Sequence, residues 1–239
     1  MNLSTKSFLV AQNIKVDNNL LNSYCSMNWV KKNCYNLKFC GGRGQTLLFT
    51  TPSGNKWVLR HYLRGGFFGK FLKDNFFVFE KHPHRAFEEF KLLQWMCEQG
   101  LNVPRPIISR ELKTNFFCTI RQDIVLEQIE NSSDLAKVIS QRFLSNEELK
   151  NIGLQINCMF KLGVNHTDLN IRNILLDQDG KVWIIDFDKC FKCILSEYKC
   201  RKILDRLFRS FKKECSKEQN KCYFDPNSFK IITKYALLK

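Results

Sequence analysis

Short apolar runs separated by turn residues fill the first part of the chain. Residues 41–44, Gly-Gly-Arg-Gly, lie between the runs at 37–40 and 46–51, and Pro52 begins a second turn before 56–62. Apolar runs bounded by glycine- and proline-containing turns are typical of consecutive strands. The pattern therefore predicts three strands in this region.

One long helix is predicted after these strands. Between residues 85 and 99 apolar residues recur at intervals of three and four, and Gly100 follows as a C-terminal stop. The prolines at 104 and 106 break the helical pattern, and residues 116–120 and 124–128 are typical of two further short strands. The first half of the chain is thus predicted to be strand-rich with one helix.

From residue 131 onward the pattern becomes helical. A capping cluster at 131–134 precedes the apolar run 135–139, and Ser145 with Glu148 has the capping-box spacing at the start of a helix that continues to Lys161. A later amphipathic helix has its apolar stripe at Leu204, Leu207, Phe208 and Phe211. Strands followed by helices predict an α+β fold.

A predicted β-hairpin interrupts the helical half. Apolar residues at 174–176 and 182–185 enclose a polar turn at 177–180. His166, Asp168 and Asn173 precede the hairpin in the pattern H-x-D-x4-N, and Asp186-Phe187 follows it. The two strands of a hairpin are antiparallel, so Asp168, Asn173 and Asp186 are expected at the same end.

These residue types suit phosphoryl transfer. That reaction requires a carboxylate to orient and deprotonate a hydroxyl, and hard oxygen ligands for a metal ion that neutralises the phosphates. Asn173 and Asp186 have the oxygen donors that Mg²⁺ prefers, which leaves Asp168 as the base. His166 is expected to orient the loop from a buried position.

Composition and charge narrow the class of protein. The chain has 239 residues and is 44% hydrophobic, which is sufficient for one substantial domain or two small lobes and excludes disordered, collagen-like and coiled-coil classes. Its net charge of +15 indicates an anionic partner, either a nucleic acid, a phosphorylated small molecule or an acidic membrane surface. No apolar run predicts a membrane-spanning helix or a signal peptide, so a cytosolic protein is expected.

The 11 cysteines are expected to be reduced thiols, mostly buried. Cys190 and Cys193 form a C-x-x-C, for which structural zinc is an alternative.

The hairpin and its flanks resemble the eukaryotic-type protein kinase fold, with Thr167 in place of the usual catalytic-loop Arg and Asp188 in place of the Gly of D-F-G. Within that fold the chain resembles the 3-deoxy-D-manno-octulosonic acid (Kdo) kinase family, which acts on the lipopolysaccharide core. Segments 42–46, 57–66, 100–106 and 182–189 carry this resemblance, which extends over most of the chain.

The resemblance implies a bilobal fold, with a small antiparallel-sheet lobe at 1–130 and a mainly helical lobe at 131–239. It implies ATP- and Mg²⁺-dependent phosphorylation of the 4-hydroxyl of Kdo on a lipid A precursor. Such an enzyme is expected at the cytoplasmic face of the bacterial inner membrane, bound peripherally to the anionic surface. Neither nucleic acid nor an obligate protein partner is expected.

The resemblance also assigns the nucleotide site. Arg60 takes the position of the strand lysine that binds ATP phosphates, with Glu89 as its helix partner and Glu88 as the alternative. Gly42 and Gly44 resemble a shortened glycine-rich loop, and the adenine is expected near Glu127 and Ile129. Asp188 is either a further metal ligand or a hydrogen-bond acceptor.

Other functions fit parts of the pattern. A kinase of the same fold that acts on a protein or an aminoglycoside is one, and a non-catalytic basic protein that binds nucleic acid or lipid is another. Two lysine-rich segments, 65–73 and 201–213, are each either membrane contacts or ordinary packed and solvated surface.

Overall fold

The computed structural model describes residues 6–11, 16–40, 46–63, 76–77, 84–114, 119–217 and 221–238. Gly42, Gly44 and segment 65–73 lie outside the described residues, so their predicted roles stay predictions. The chain divides into two compact units, one of Met1–Trp95 with Arg105–Gln128 and the other of Met96–Pro104 with Ile129–Lys239. The sequence-based boundary at residue 130 stays a prediction.

The first unit contains seven strands and three helices within its described parts. The strands are β1 (Lys6–Val10), β2 (Tyr35–Cys40), β3 (Thr46–Thr50), β4 (Lys56–His61), β5 (Phe76–Phe77), β6 (Pro106–Thr114) and β7 (Thr119–Glu127). The helices are α1 (Leu21–Tyr24), α2 (Met27–Asn33) and α3 (Arg85–Glu98), whose last residues group with the second unit.

These strands form one antiparallel sheet in the order β1-β6-β7-β4-β3-β2, with β5 also paired to β7. Strand β4 is central, since Arg60 lies opposite Thr46 on β3 and opposite Ile124 on β7. Leu47, Leu59 and other apolar side chains of the sheet are buried in its core. The three strands predicted from the turn pattern and the helix beginning at residue 85 are confirmed.

The prediction of two separate strands at 116–120 and 124–128 is wrong, because one strand runs through parts of both. A single strand, β7, contains 119–120 of the first predicted strand and 124–127 of the second, because its polar interior is compensated by specific partners. Gln122 is buried and accepts a hydrogen bond from the Ala86 amide at 2.9 Å. Asp123 is buried and pairs with Arg110 at 2.6 Å. Strands β1 and β6 and helices α1 and α2 were not predicted.

The second unit is mainly helical. Its helices are α4 (Leu135–Ile139), α5 (Asn146–Lys161), α6 (Glu197–Cys215) and α7 (Phe229–Ala236), and its strands are β8 (Ser132–Asp134), β9 (Val164–Asn165), β10 (Ile174–Asp177), β11 (Val182–Ile184) and β12 (Phe191–Lys192). The predicted capping box of Ser145 and Glu148 begins α5. Helix α7 packs on α5 so closely that a Cβ at Gly153 would lie 2.6 Å from the Tyr235 Cβ.

The predicted α+β class is confirmed by this antiparallel sheet and these helices. No helix in the described parts of the chain has the length and apolar character to cross a membrane. The expectation that all cysteines are thiols is wrong for one pair, because Cys215 and Cys222 form a disulfide. Cys215 is the last residue of α6, and its Cα atom lies 5.2 Å from that of Cys222.

Candidate active site

The predicted hairpin is confirmed, and its open end gathers the candidate catalytic residues. Ile174 lies opposite Ile184 in the β10–β11 ladder, so Asn173 and Ile185 continue it. The Ile185 amide donates to the Asn173 carbonyl at 2.9 Å. Asp186 follows directly, which places it at the end of the hairpin where Asn173 lies.

Asp168 is tied to the same end through its backbone. The Asn173 side-chain amide donates to the Asp168 carbonyl at 2.9 Å, and Asn170 donates to it at 3.0 Å. The Asp168 side chain is exposed, and its carboxylate accepts no hydrogen bond among the residues that the structure describes. The loop is therefore held by its backbone while the carboxylate projects outward.

His166 holds this loop against the hairpin, and its predicted buried position is confirmed. Its Nδ1 accepts a hydrogen bond from the Asp168 amide at 3.3 Å, so the proton lies on Nε2, which is 3.1 Å from the Ile185 carbonyl. Burial lowers the pKa of His166, although the Ile185 carbonyl opposes this effect. A neutral imidazole with two occupied nitrogens is a structural support for the loop.

The backbone of Asp186 has a φ of +65°, in the left-handed region that few non-glycine residues adopt. The next residue, Phe187, is buried, with its ring centroid 4.9 Å from that of His166. The Thr167 hydroxyl donates to the Asp188 carbonyl at 3.4 Å. These contacts fix the backbone on both sides of Asp186, and the part played by the Asp188 carboxylate stays open.

Helix α6 supports the catalytic loop along one stripe. Arg206 donates to the His166 carbonyl at 3.3 Å, and Ser210 accepts from the Ile171 amide at 2.9 Å. Glu214 is buried and accepts from Arg172 at 2.8 Å. The four-residue spacing of these three α6 residues places them on one helix face. Sequence reasoning missed their role, although this regular polar spacing was a usable signal.

Arg60 on β4 and Glu89 on α3 form the predicted ion pair, whereas the Glu88 side chain is exposed. Glu89 is only 2% exposed. The Tyr62 hydroxyl also donates to Glu89, and Arg60 donates to the Tyr62 oxygen at 2.9 Å. Sequence reasoning missed Tyr62, which lies two positions after Arg60 and therefore on the same face of the strand. The nucleotide role of Arg60 stays a prediction.

Glu127 and Ile129 lie at and just beyond the end of β7. The Glu127 amide donates to the Arg105 carbonyl at 2.8 Å, and its exposed carboxylate pairs with Arg105 at 3.2 Å. The Ile129 carbonyl accepts from the Ser132 hydroxyl at 2.9 Å. These contacts order the backbone at both residues, and their predicted contact with adenine stays a prediction.

The donor set at the hairpin end suits Mg²⁺. The Asn173 amide nitrogen is committed to Asp168, which directs its carbonyl oxygen away from that contact. Asp186 adds a carboxylate, and Mg²⁺ completes its shell with water and phosphate oxygens, so two protein ligands suffice. In the described part of the chain, no three His, Cys, Asp or Glu side chains are arranged to hold a metal, so the Cys190–Cys193 motif has no zinc-like set there.

The sequence matches the lipopolysaccharide kinase (Kdo/WaaP) family over residues 29–225. It is similar to a 3-deoxy-D-manno-octulosonic acid kinase of Vibrio parahaemolyticus, with 42% identity over 80% of this chain and 78% of that protein. The protein of the same name from Vibrio cholerae is 39% identical over 84% of this chain and 88% of its own length. A third, from Haemophilus influenzae, is 42% identical over 72% and 73%.

The structure is similar to that of WaaP in complex with acyl carrier protein, with a TM-score of 0.57 and 14% identity over 96% of this chain and 88% of the other. This similarity shows that the two proteins share a fold, which is the kinase-like fold predicted from the hairpin. Since the family match spans most of the chain and the relatives are about 40% identical over most of their own lengths, this chain belongs to the lipopolysaccharide kinase (Kdo/WaaP) family.

Proposed function

We propose that this protein is a Kdo kinase that transfers the γ-phosphoryl group of ATP to the 4-hydroxyl of a Kdo residue on a lipid A precursor. The observation that carries the proposal is the hydrogen-bonded end of the hairpin. Asn173 bonds to the Asp168 carbonyl through its side chain and to the Ile185 amide through its backbone. One amide-bearing residue thereby links the candidate base to the segment that carries Asp186.

Asp168 is the catalytic base in this proposal. Its exposed carboxylate accepts the proton of the sugar hydroxyl as the hydroxyl oxygen bonds to the γ-phosphorus. The bond between the γ-phosphorus and its bridging oxygen breaks, and ADP leaves. The hydrogen bonds of Asn170 and Asn173 hold the Asp168 backbone from which the carboxylate projects, which reduces the entropic cost of aligning the hydroxyl.

Asn173 and Asp186 hold Mg²⁺ in this proposal. When bound, the ion supplies positive charge that neutralises the phosphate oxygens during transfer. Asp186 is suited to that task because the buried Phe187 and the His166 contact fix the backbone beside it. A carboxylate on a fixed backbone has less to reorganise as the ion binds.

Arg60 binds the ATP phosphates in the proposed reaction. Its guanidinium is held by Glu89 and by the Tyr62 oxygen, so part of its donor set is used for positioning. A guanidinium has five N–H donors in a planar fork, which allows one edge to bind a carboxylate and another to bind phosphate. The Gly42 and Gly44 amides are proposed to contact the same phosphates, and Glu127 and Ile129 to contact the adenine.

The substrate assignment is supported by the names of the three relatives compared above, each of which is a 3-deoxy-D-manno-octulosonic acid kinase. A lipid A precursor that carries Kdo is anionic, and the chain has a net charge of +15. Such a protein is attracted to an anionic leaflet. We therefore propose peripheral binding at the cytoplasmic face of the inner membrane, without nucleic acid or an obligate protein partner.

The test is phosphorylation of the Kdo-bearing lipid A precursor in detergent by the purified full chain with ATP and Mg²⁺. Mass spectrometry of the lipid is expected to show the addition of one phosphate, and fragmentation is expected to place it on the Kdo 4-hydroxyl. Asp168→Asn is expected to lower kcat by about 10²- to 10⁴-fold while leaving the thermal midpoint unchanged, because the side chain is exposed. Asp179→Asn, at the opposite end of the hairpin, is the matched control.

The Vibrio parahaemolyticus relative provides the positive control for the assay. If that protein phosphorylates the lipid and this chain does not, the proposed substrate is wrong. If Asp168→Asn retains the wild-type kcat, the proposed base is wrong. Phosphate on a different hydroxyl would keep the kinase assignment and overturn only the 4-position.

A further inference from the structure

Exposed apolar and cationic side chains are concentrated in residues 189–202, directly after Asp186-Phe187-Asp188. This segment runs through β12 and the following loop into the first turns of α6. Its exposed members are Lys189, Phe191, Lys192, Ile194, Tyr198, Lys199, Arg201 and Lys202.

The apolar members are large and well exposed. Ile194 is 94% exposed, Tyr198 is 66% exposed and Phe191 is 47% exposed. Single exposed apolar side chains are common on protein surfaces, whereas a concentration of them indicates an interaction site. Phe191, Ile194 and Tyr198 form such a concentration, because they lie within eight consecutive residues and the short segment between them limits how far apart they can be.

The charge of the segment is strongly positive. It contains five Lys and Arg residues and one carboxylate, Glu197, which pairs with Arg201 at 2.7 Å. Lys202 lies over the Tyr198 ring, with its Nζ 4.5 Å from the ring centroid. Cationic and apolar groups are therefore interleaved on this surface.

The segment is attached to the strand that leads into the catalytic loop. Phe191 lies opposite Asn165 in the β12–β9 ladder, and Asn165 is three residues before Asp168. The Cys193 amide donates to the Gly163 carbonyl at 2.8 Å. Paired Cα atoms are about 5 Å apart and three residues span at most about 10 Å, so Phe191 and Asp168 are separated by about 15 Å or less at Cα.

We propose that residues 189–202 are the docking surface of this protein for an anionic lipid bilayer. The proposal rests on the proposed function, because a Kdo residue on a lipid A precursor lies at the surface of a membrane. A bilayer contact beside Asp168 would bring the catalytic carboxylate to the lipid-linked sugar.

An anionic bilayer fits this surface better than a purely apolar partner does. Aromatic and aliphatic side chains enter the boundary between headgroups and acyl chains, and lysines beside them attract anionic headgroups. A second exposed apolar surface lies on β2, where Tyr35, Leu37 and Phe39 are 62%, 39% and 48% exposed and the Lys31 Nζ is 5.0 Å from the Phe39 ring centroid. It differs from residues 189–202 because, in the described part of the chain, it is not attached to the strand that leads into the catalytic loop. That surface belongs to the other compact unit, and Phe39 provides a close control for Phe191.

The experiment measures binding of the full chain to vesicles by flotation. One set of vesicles contains phosphatidylglycerol and phosphatidylcholine in equal parts, and the other contains phosphatidylcholine alone. Wild type is expected to prefer the anionic vesicles at least tenfold, and high salt is expected to reduce this preference through screening. Ile194→Asn and Phe191→Asn are each expected to weaken binding about tenfold, whereas Phe39→Asn leaves it unchanged.

The double variant Lys199→Gln/Lys202→Gln is expected to weaken binding about fivefold for each lysine removed. Thermal midpoints equal to wild type would show that these exposed positions do not affect folding. Equal losses for Phe191→Asn and Phe39→Asn would overturn the proposed location. Absence of binding to anionic vesicles would show that residues 189–202 do not bind a lipid bilayer, and would favour an acidic protein as the partner of this surface.

Phosphorylation of the lipid acceptor separates this proposal from the proposed function. In detergent, the Ile194→Asn variant is expected to match wild type, whereas on vesicles its rate falls with its binding. If wild type phosphorylates the acceptor but Ile194→Asn binds and reacts on vesicles normally, the docking surface is wrong and the kinase function stands. If vesicle binding depends on Ile194 but no phosphate is transferred in detergent, the docking surface stands and the proposed function is wrong.

Discussion

The Arg172 guanidinium donates to the Glu214 carboxylate at 2.8 Å, which joins the segment between Asp168 and Asn173 to helix α6. Lys217 binds the other oxygen of Glu214 at 2.7 Å. The two hydrogen bonds hold the pKa of Glu214 below its ordinary value, against the opposing effect of burial. Glu214 is therefore charged, with one partner in the catalytic loop and the other, Lys217, just beyond the end of α6.

This arrangement gives a matched pair of variants. Arg172→Met and Lys217→Met each remove one cation from Glu214, but only Arg172 lies in the catalytic loop. We expect Arg172→Met to lower kcat about threefold to fivefold with little change in KM for ATP, because the half-exposed Arg172 joins the catalytic loop to helix α6 and such a solvent-screened pair contributes at most about 1 kcal/mol. Lys217→Met is expected to retain kcat within about twofold. Steady-state kinetics in detergent measures both, and equal kcat losses would show a general effect on folding.

Asp186 is expected to determine the Mg²⁺ requirement. Asp186→Asn removes the only charged ligand of the proposed metal pair, so the Mg²⁺ concentration for half-maximal rate is expected to rise at least about tenfold. Asp179→Asn makes the same chemical change in the turn at the far end of the hairpin and should leave that concentration unchanged. Titration of the rate with Mg²⁺ measures the effect. An unchanged requirement in Asp186→Asn would contradict the metal assignment.

Glu88 and Glu89 are neighbours with opposite environments, which makes them a second matched pair. Glu89 is buried against Arg60 and Tyr62, whereas Glu88 is exposed. We expect Glu89→Gln to raise KM for ATP about tenfold, because the neutral amide holds the Arg60 guanidinium less firmly. Glu88→Gln is expected to keep the wild-type KM. The same KM change in both variants would show that the Arg60 contact does not matter for ATP.

Protonation of His166 is expected to destabilise the fold. The pKa of the buried imidazole is lowered from its ordinary value of 6.5, chiefly by burial. Between the folded and unfolded pKa values the unfolded chain binds more protons, so the free energy of unfolding falls as the pH drops below about 6.5, by up to about 1.4 kcal/mol per pH unit. Urea denaturation from pH 7.5 downward measures this slope.

His166→Gln is expected to lack this contribution to the slope. The variant keeps the half-buried His61 beside Asp123 and the exposed His84 beside Glu111. Subtraction of the two pH profiles therefore isolates the contribution of His166. Parallel profiles between about pH 7 and pH 5.5 would contradict a neutral, buried imidazole.

The local elements of this protein were predictable because each depends on neighbouring residues. The capping box of Ser145 and Glu148 and the hairpin around residues 177–180 are short-range patterns with their own turn chemistry. Strand β6 and the middle of β7 were not predictable in the same way. Arg110 and Asp123 are individually polar, and only their contact across the sheet makes them acceptable inside it.

The sequence by itself determined that Asp168, Asn173 and Asp186 share one end of a hairpin, because antiparallel pairing brings the flanks of a short turn together. The family resemblance of the sequence implied Glu89 as the partner of Arg60, with Glu88 as the alternative. Only the tertiary structure decided that Glu89 faces Arg60 and that α6 supports the loop through Glu214, which is 42 residues from Arg172. Helix periodicity specifies which residues share a face, whereas the packing of the whole unit decides what that face contacts.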